Sequence, residues 1–203
     1  SEMVYQQVHT QWNGHGYIQH KQTREKQVNK TIIKTRIEQI KKLSSQDEHG
    51  QFEMGTPEQQ SAARLVEDFY TNFDLSKETS EDELSITTAA VILALKDIQV
   101  RDYALGMYDP AEEKARLCFE FLTKHAPAKY IAAPTTLLAL TYYEKHQDGK
   151  ADEALAPALA QGYSLATLLS RVFQTNWPVG AFNSMRLELH PRVKAGIFGE
   201  SND

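Results

Sequence analysis

A single cysteine, Cys118, stands in the 203 residues. No internal disulfide can form, so the fold must rest on an apolar core, and a chain of this length can build one. One thiol and no bridge suit a reducing compartment. Long apolar runs are missing too. The longest, "AAVILAL" at 89–95, falls far short of the roughly 20 apolar residues that span a bilayer, so no membrane segment is expected. Clean period-two alternation is absent, which predicts little or no sheet. Gly14 and Gly16 have neither a preceding strand nor a third glycine, so no phosphate-cradling loop is expected there. A G-x-S-x-G nucleophile elbow is lacking as well. Basic charge does not dominate. Lys and Arg total 22 against 27 Asp and Glu, a net charge of −5, which argues against nucleic acid as the main partner. The polar N-terminus does not read as a signal peptide, and none is expected in this stretch. It opens on Ser1, and the sequence is expected to belong to a longer protein.

What is present is helical punctuation. Residues 22–43 carry Val28, Ile32, Ile33, Ile37, Ile40 and Leu43 on one stripe. Residues 21–42 hold eight lysines and arginines, and this segment reads as a basic N-terminal helical arm. A contact between it and the acidic stretch 53–83 is the alternative to a plain solvated face. "SSQDEHGQFEMG" at 44–55 is a polar loop. Thr56, Pro57 and Gln59 then announce a helix start, and Ser80 with Glu83 repeats the signal. Residues 84–96 are apolar nearly all round and predict a buried helix, since three alanines and the Ser80 cap outweigh the β-branched residues. Asp109 and Pro110 predict a further helix start, and Pro127 its end. Residues 129–147 and 150–161 read as two more helices, with Pro157 placed in a first turn or at a kink. A short helix is expected around 181–188 and loose chain after Pro191.

These elements imply an all-α protein: a compact bundle of short helical hairpins, partly tetratricopeptide-like, with the basic arm at its N-terminus. The expected division is an arm and loop at 1–55, a main helical domain at 56–190, and a loose tail at 191–203.

Chemistry-bearing residues are sparse. The stretch "DIQVRDYAL" at 97–105 gathers Asp97, Arg101 and Asp102 directly after the most apolar run. Asp97 and Arg101, four apart on a helix, would face each other. Asp102 would project elsewhere. Buried carboxylates beside an arginine can do acid–base work. An arginine where a buried helix emerges can equally tie neighbouring helices together, and this structural joint is the favoured reading. His9, His15 and His20 are spaced by six and five, against the three or four typical of helical zinc ligands, so no metal site is assigned. His125 and His146 sit near helix C-termini, where partial positive charge offsets the dipole. Cys118 has no nearby base and reads as core. No cofactor is expected.

The stretch 137–166, "LLALTYYEKHQDGKADEALAPALAQGYSLA", resembles a tetratricopeptide-type hairpin, with Ala139 and Ala154 allowing close approach and Tyr142 and Tyr143 packing across. A second resemblance covers roughly 85–175. "ALKDIQVRDYAL", then the helical pair turning at Asp148-Gly149, then "GYSLATLL" at 162–169 are similar to the C-terminal half of the actinobacterial family called domain of unknown function 4192. Asp97, Arg101 and Asp102 match that family's aspartate followed by "VRD". Gln147 stands where its turn has a glycine. The resemblance implies a cytoplasmic bacterial protein with a further upstream half, and it implies no activity. A helical scaffold or protein-interaction module is therefore the leading expectation, its partner another protein or the upstream half. The alternative is part of an enzyme built on Asp97, Arg101 and Asp102.

Overall fold

The computed structural model describes residues 28–77 and 79–199. Among the described residues it is all-helical, with nine α-helices and no strand. They are α1 (Lys30–Lys41), α2 (Pro57–Thr71), α3 (Glu81–Ala94), α4 (Ile98–Met107), α5 (Glu113–His125), α6 (Ala132–Glu144), α7 (Asp148–Ala160), α8 (Ser164–Gln174) and α9 (Val179–Phe198), with a 3₁₀ turn at Ala128–Tyr130. None is long and apolar enough to cross a membrane.

The caps explain the starts. Asn29 accepts the Ile32 N–H at 2.9 Å and opens α1, so the helix begins eight residues later than the apolar stripe suggested. Residues 22–27 of that stripe lie outside the described residues. Within α1, Ile33 and Ile37 are fully buried against α3, so this part is a wall of the bundle rather than a free arm. Arg36 meets Asp82 of the acidic stretch at 2.9 Å. Leu43, the last expected member of the stripe, lies past the helix end and is 91% exposed. Thr56 and Ser80 cap α2 and α3 as their sequences predict.

Helix α3 is buried in its C-terminal half, from Thr88 to Ala94 apart from half-exposed Ala90, and α6 is sunk deeper still, with Tyr142 its one half-exposed residue. Around α6 lie α5 on one side and α7 on the other, joined to it by three residues. His146 turns that corner with φ of 54°. Two start signals fall short. Asp109 accepts the Ala111 N–H at 2.8 Å, but this closes a turn, and α5 starts at Glu113 without a side-chain cap. Pro157 lies in the last turn of α7, which runs on to Ala160. The largest departure is the C-terminus. The loose chain expected after Pro191 is helix as far as Phe198. A mid-helix proline removes one backbone hydrogen bond. Here the turns on either side are anchored: Arg186 and Ile197 are buried, and α9 packs chiefly on α4.

Candidate functional site

The break between α3 and α4 frees backbone groups, and the polar loop 46–52 collects them. Gln46 Nε2 donates to Leu93 O at 3.2 Å, and Gln51 Nε2 to Lys96 O at 2.8 Å. The Ile98 N–H donates to Gln51 Oε1 at 2.9 Å. Asp97, 1% exposed, is the centre of this joint. It caps α4 by accepting the Val100 N–H at 2.9 Å, and it takes the Phe52 N–H at 2.8 Å and Gln59 Nε2 at 3.3 Å. Gly50 makes the close approach possible. Its φ is +85°, and a Cβ there would sit 2.8 Å from Lys96 Cβ.

Arg101 turns away from Asp97. Its Nε and Nη2 donate to Asp102 Oδ1 at 2.8 and 2.6 Å, and its Nη1 to the Tyr163 hydroxyl at 3.0 Å. The expected Asp97–Arg101 pairing is therefore replaced by an Arg101–Asp102 pair, because Asp97 is engaged as a cap while adjacent Asp102 lies within reach of the fork. Burial opposes the Arg101 charge. Tyr163 and Asp102 favour it, and the balance raises its pKa above the ordinary arginine value. The three candidate residues thus divide: Asp97 faces the loop, while Arg101 and Asp102 face α8.

Arg101 and Asp102 also line a cleft of about 540 Å³. Helices α8 and α9 follow each other in sequence but pack on different neighbours, α8 on α7 and α9 on α4. The gap between them is the cleft. Its walls are apolar, including Leu165, Leu169, Val172 and Phe182. Leu168, Trp177 and Leu189 on its lining are 57%, 40% and 45% exposed.

Arg186, which also lines the cleft, belongs to a polar network that sequence reasoning missed. Arg186 Nε donates to Glu144 Oε1 at 2.9 Å, and its Nη1 to Leu105 O at 2.7 Å and Tyr108 O at 3.2 Å. The Tyr108 hydroxyl donates to Glu144 Oε2 at 2.6 Å. The Arg186 guanidinium lies 4.2 Å from the Tyr108 ring centroid. Burial raises the Glu144 pKa, against the pull of Arg186 and Tyr108. The only signal available was an ionisable residue ending an apolar helix, at Glu144, and another inside "FNSMRLEL". Nothing local pairs residues 42 positions apart.

The remaining candidates fall elsewhere. His9, His15 and His20 lie outside the described residues. His125 is 3% exposed and packs on Phe121, with centroids 4.4 Å apart. Cys118 is buried, and burial pushes its thiol pKa up, so the nucleophilic thiolate is disfavoured. Among the described residues no group of three or more His, Cys, Asp or Glu side chains is placed to hold a metal ion.

Residues 13–178 match the model of a family described as Domain of unknown function (DUF4192). That span contains Asp97, Arg101, Asp102, Glu144 and Tyr163, and it is wider than the motifs that carried the resemblance. Neither a curated protein nor a solved structure matches the chain.

Proposed function

The chain belongs to the domain of unknown function 4192 family, and from that premise we propose that it is a binding module without catalytic activity of its own, seating an apolar helical segment of a protein partner in the cleft between α8 and α9. The observation that carries this reading is the exposed apolar rim formed by Leu168, Trp177 and Leu189. A small ligand held inside the cleft would leave that rim wet, whereas a segment lying along the trough covers it. Arg101 and Asp102 neutralise each other on the cleft lining, so the occupant needs no charge to meet them. In this reading Asp97, Arg101 and Asp102 are joint residues: they hold loop, α4 and α8 in place and present the groove. We place the protein in the cytoplasm, a reducing compartment that a single buried thiol suits.

A second reading has one observation in its favour. Because Arg101 and Asp102 do line the cleft, it could be one side of an active site completed by another part of the protein.

A photoreactive residue in place of Leu168, and separately of Leu189, tests the first reading in cells. It expects both positions to cross-link one protein through the same apolar helical stretch. A synthetic peptide of that stretch should bind the purified protein and lose at least tenfold in affinity with Leu168→Glu. Cross-links only to a second copy of this chain, or none, would overturn the reading.

A further inference from the structure

A second cavity, of about 230 Å³, opens where α2 ends, against α3 and α5. Three phenylalanines form its apolar base. Their ring centroids are 5.6 Å apart for Phe69 and Phe73, 5.6 Å for Phe73 and Phe121, and 6.4 Å for Phe69 and Phe121, and every pair is tilted. Phe121 is buried, while Phe69 and Phe73 stay half-exposed. Around this base the lining is acidic: Asp68, Asp74 and Glu83 stand against Lys77. Asp74 is partly occupied by Ser76, whose N–H and hydroxyl it accepts at 2.8 and 2.7 Å. The last carbonyls of α2 add the negative end of a helix dipole.

Base and rim select for different properties, and their overlap is narrow. Carboxylates and a helix C-terminus repel an anion. A neutral apolar ligand would gain from the phenylalanines and nothing from the acids. A compact inorganic cation seeks oxygen ligands and gains little from aromatic carbon. Both halves favour a cation whose charge is wrapped in methyl groups, because aromatic faces attract it while its surface remains apolar. We propose that this cavity binds a small molecule with a methylated ammonium head, the methyl groups against Phe69, Phe73 and Phe121 and the charge toward Asp68 and Glu83. The site stands apart from the cleft between α8 and α9 and does not depend on what that cleft binds.

Calorimetric titration of the full chain with choline, and with its uncharged isostere 3,3-dimethylbutan-1-ol, tests the proposal. Choline should bind about tenfold more tightly than the isostere, the size of a partly desolvated cation–aromatic contact. Phe73→Leu and Asp68→Asn should each weaken choline several-fold, with melting curves confirming that the variants fold. Lys77→Gln, which removes a competing charge, should tighten it. Equal binding of choline and the isostere would reduce the site to an apolar dent and overturn the proposal, as would no choline binding by the wild type. A trimethyl-lysine peptide that bound where choline did not would shift the cation to a protein tail and overturn the small-molecule form.

Discussion

Arg186 Nε lies 2.9 Å from Glu144 Oε1, and neither side chain is exposed at all. The pair joins the last helix to the most buried one and also satisfies the carbonyls at the end of α4. Breaking such a pair strands a charge. Arg186→Met should destabilise the protein by about 3–5 kcal/mol in urea unfolding. The double variant Arg186→Met, Glu144→Gln keeps an acceptor for Tyr108 and removes the stranded charge, so it should recover part of the loss. Equal stability of single and double variants would show that no stranded Glu144 charge accounts for the loss.

Arg101 carries a comparable load with less burial, its side chain 8% exposed and that of Asp102 29%. Arg101→Ala should cost about 2–4 kcal/mol, since it removes three hydrogen bonds and unpins α4 from Tyr163. Arg101→Lys keeps the charge but not the fork that grips Asp102, and should fall between Ala and wild type. An unchanged melting temperature for Arg101→Ala would remove Arg101 from the joint.

Asp97 is a cap with two further duties. Asp97→Ala should cost about 2–3 kcal/mol, combining a lost cap of ~1 kcal/mol with a stranded Phe52 N–H. Asp97→Asn keeps an acceptor oxygen for the cap and should cost less. Hydrogen exchange locates the effect: the Phe52 and Val100 amides should lose protection together.

What the sequence disclosed follows from the range of the interaction. Caps at Ser80 and Thr56 act over three residues, and the apolar faces of α3 and α6 over one or two turns, so local pattern suffices. The cluster at 97–102 was visible as an oddity, but its internal pairing was not, because Asp97 finds distant partners in Phe52 of the polar loop and Gln59 of α2. Helix α9 was half-read. Pro191 signals a stop, and only contacts with α4 show why the helix continues through it. The Arg186–Glu144 pair spans 42 residues and left no local trace. The cleft between α8 and α9 is a product of divergent packing, which no single helix encodes.

At Gly106, α4 lies close against His190 of α9. A Cβ on Gly106 would run into the His190 side chain at Nδ1, Cβ and Cγ. Gly106→Ala should therefore destabilise by about 1–3 kcal/mol despite the better helix propensity of alanine. His190→Ala removes the contacts with Nδ1 and Cγ but keeps the one with Cβ, so it should relieve part of the clash, and the double variant should be somewhat less unstable than the two single losses added together. Strict additivity in the double-mutant cycle would mean that α9 simply shifts to make room.

His190 also makes stability depend on pH. Burial lowers its pKa from 6.5. Lys194 and Arg186 push the same way, and Glu67 opposes them. The ring packs on Tyr103 with centroids 4.9 Å apart. A depressed histidine binds fewer protons folded than unfolded, so its contribution is complete above about pH 6.5 and drains away as pH falls toward the folded value. Glu144 acts with the opposite sign. Its pKa is raised in the folded protein from 4.5, so its unfavourable contribution shrinks as pH falls toward 4.5. The wild-type profile mixes both groups, and the informative quantity is a difference between proteins. From pH 7 to pH 5 the wild type should lose more unfolding free energy than His190→Gln, which keeps the Glu144 response and lacks the imidazole. Parallel profiles would show that His190 takes up its proton alike in the folded and unfolded chains.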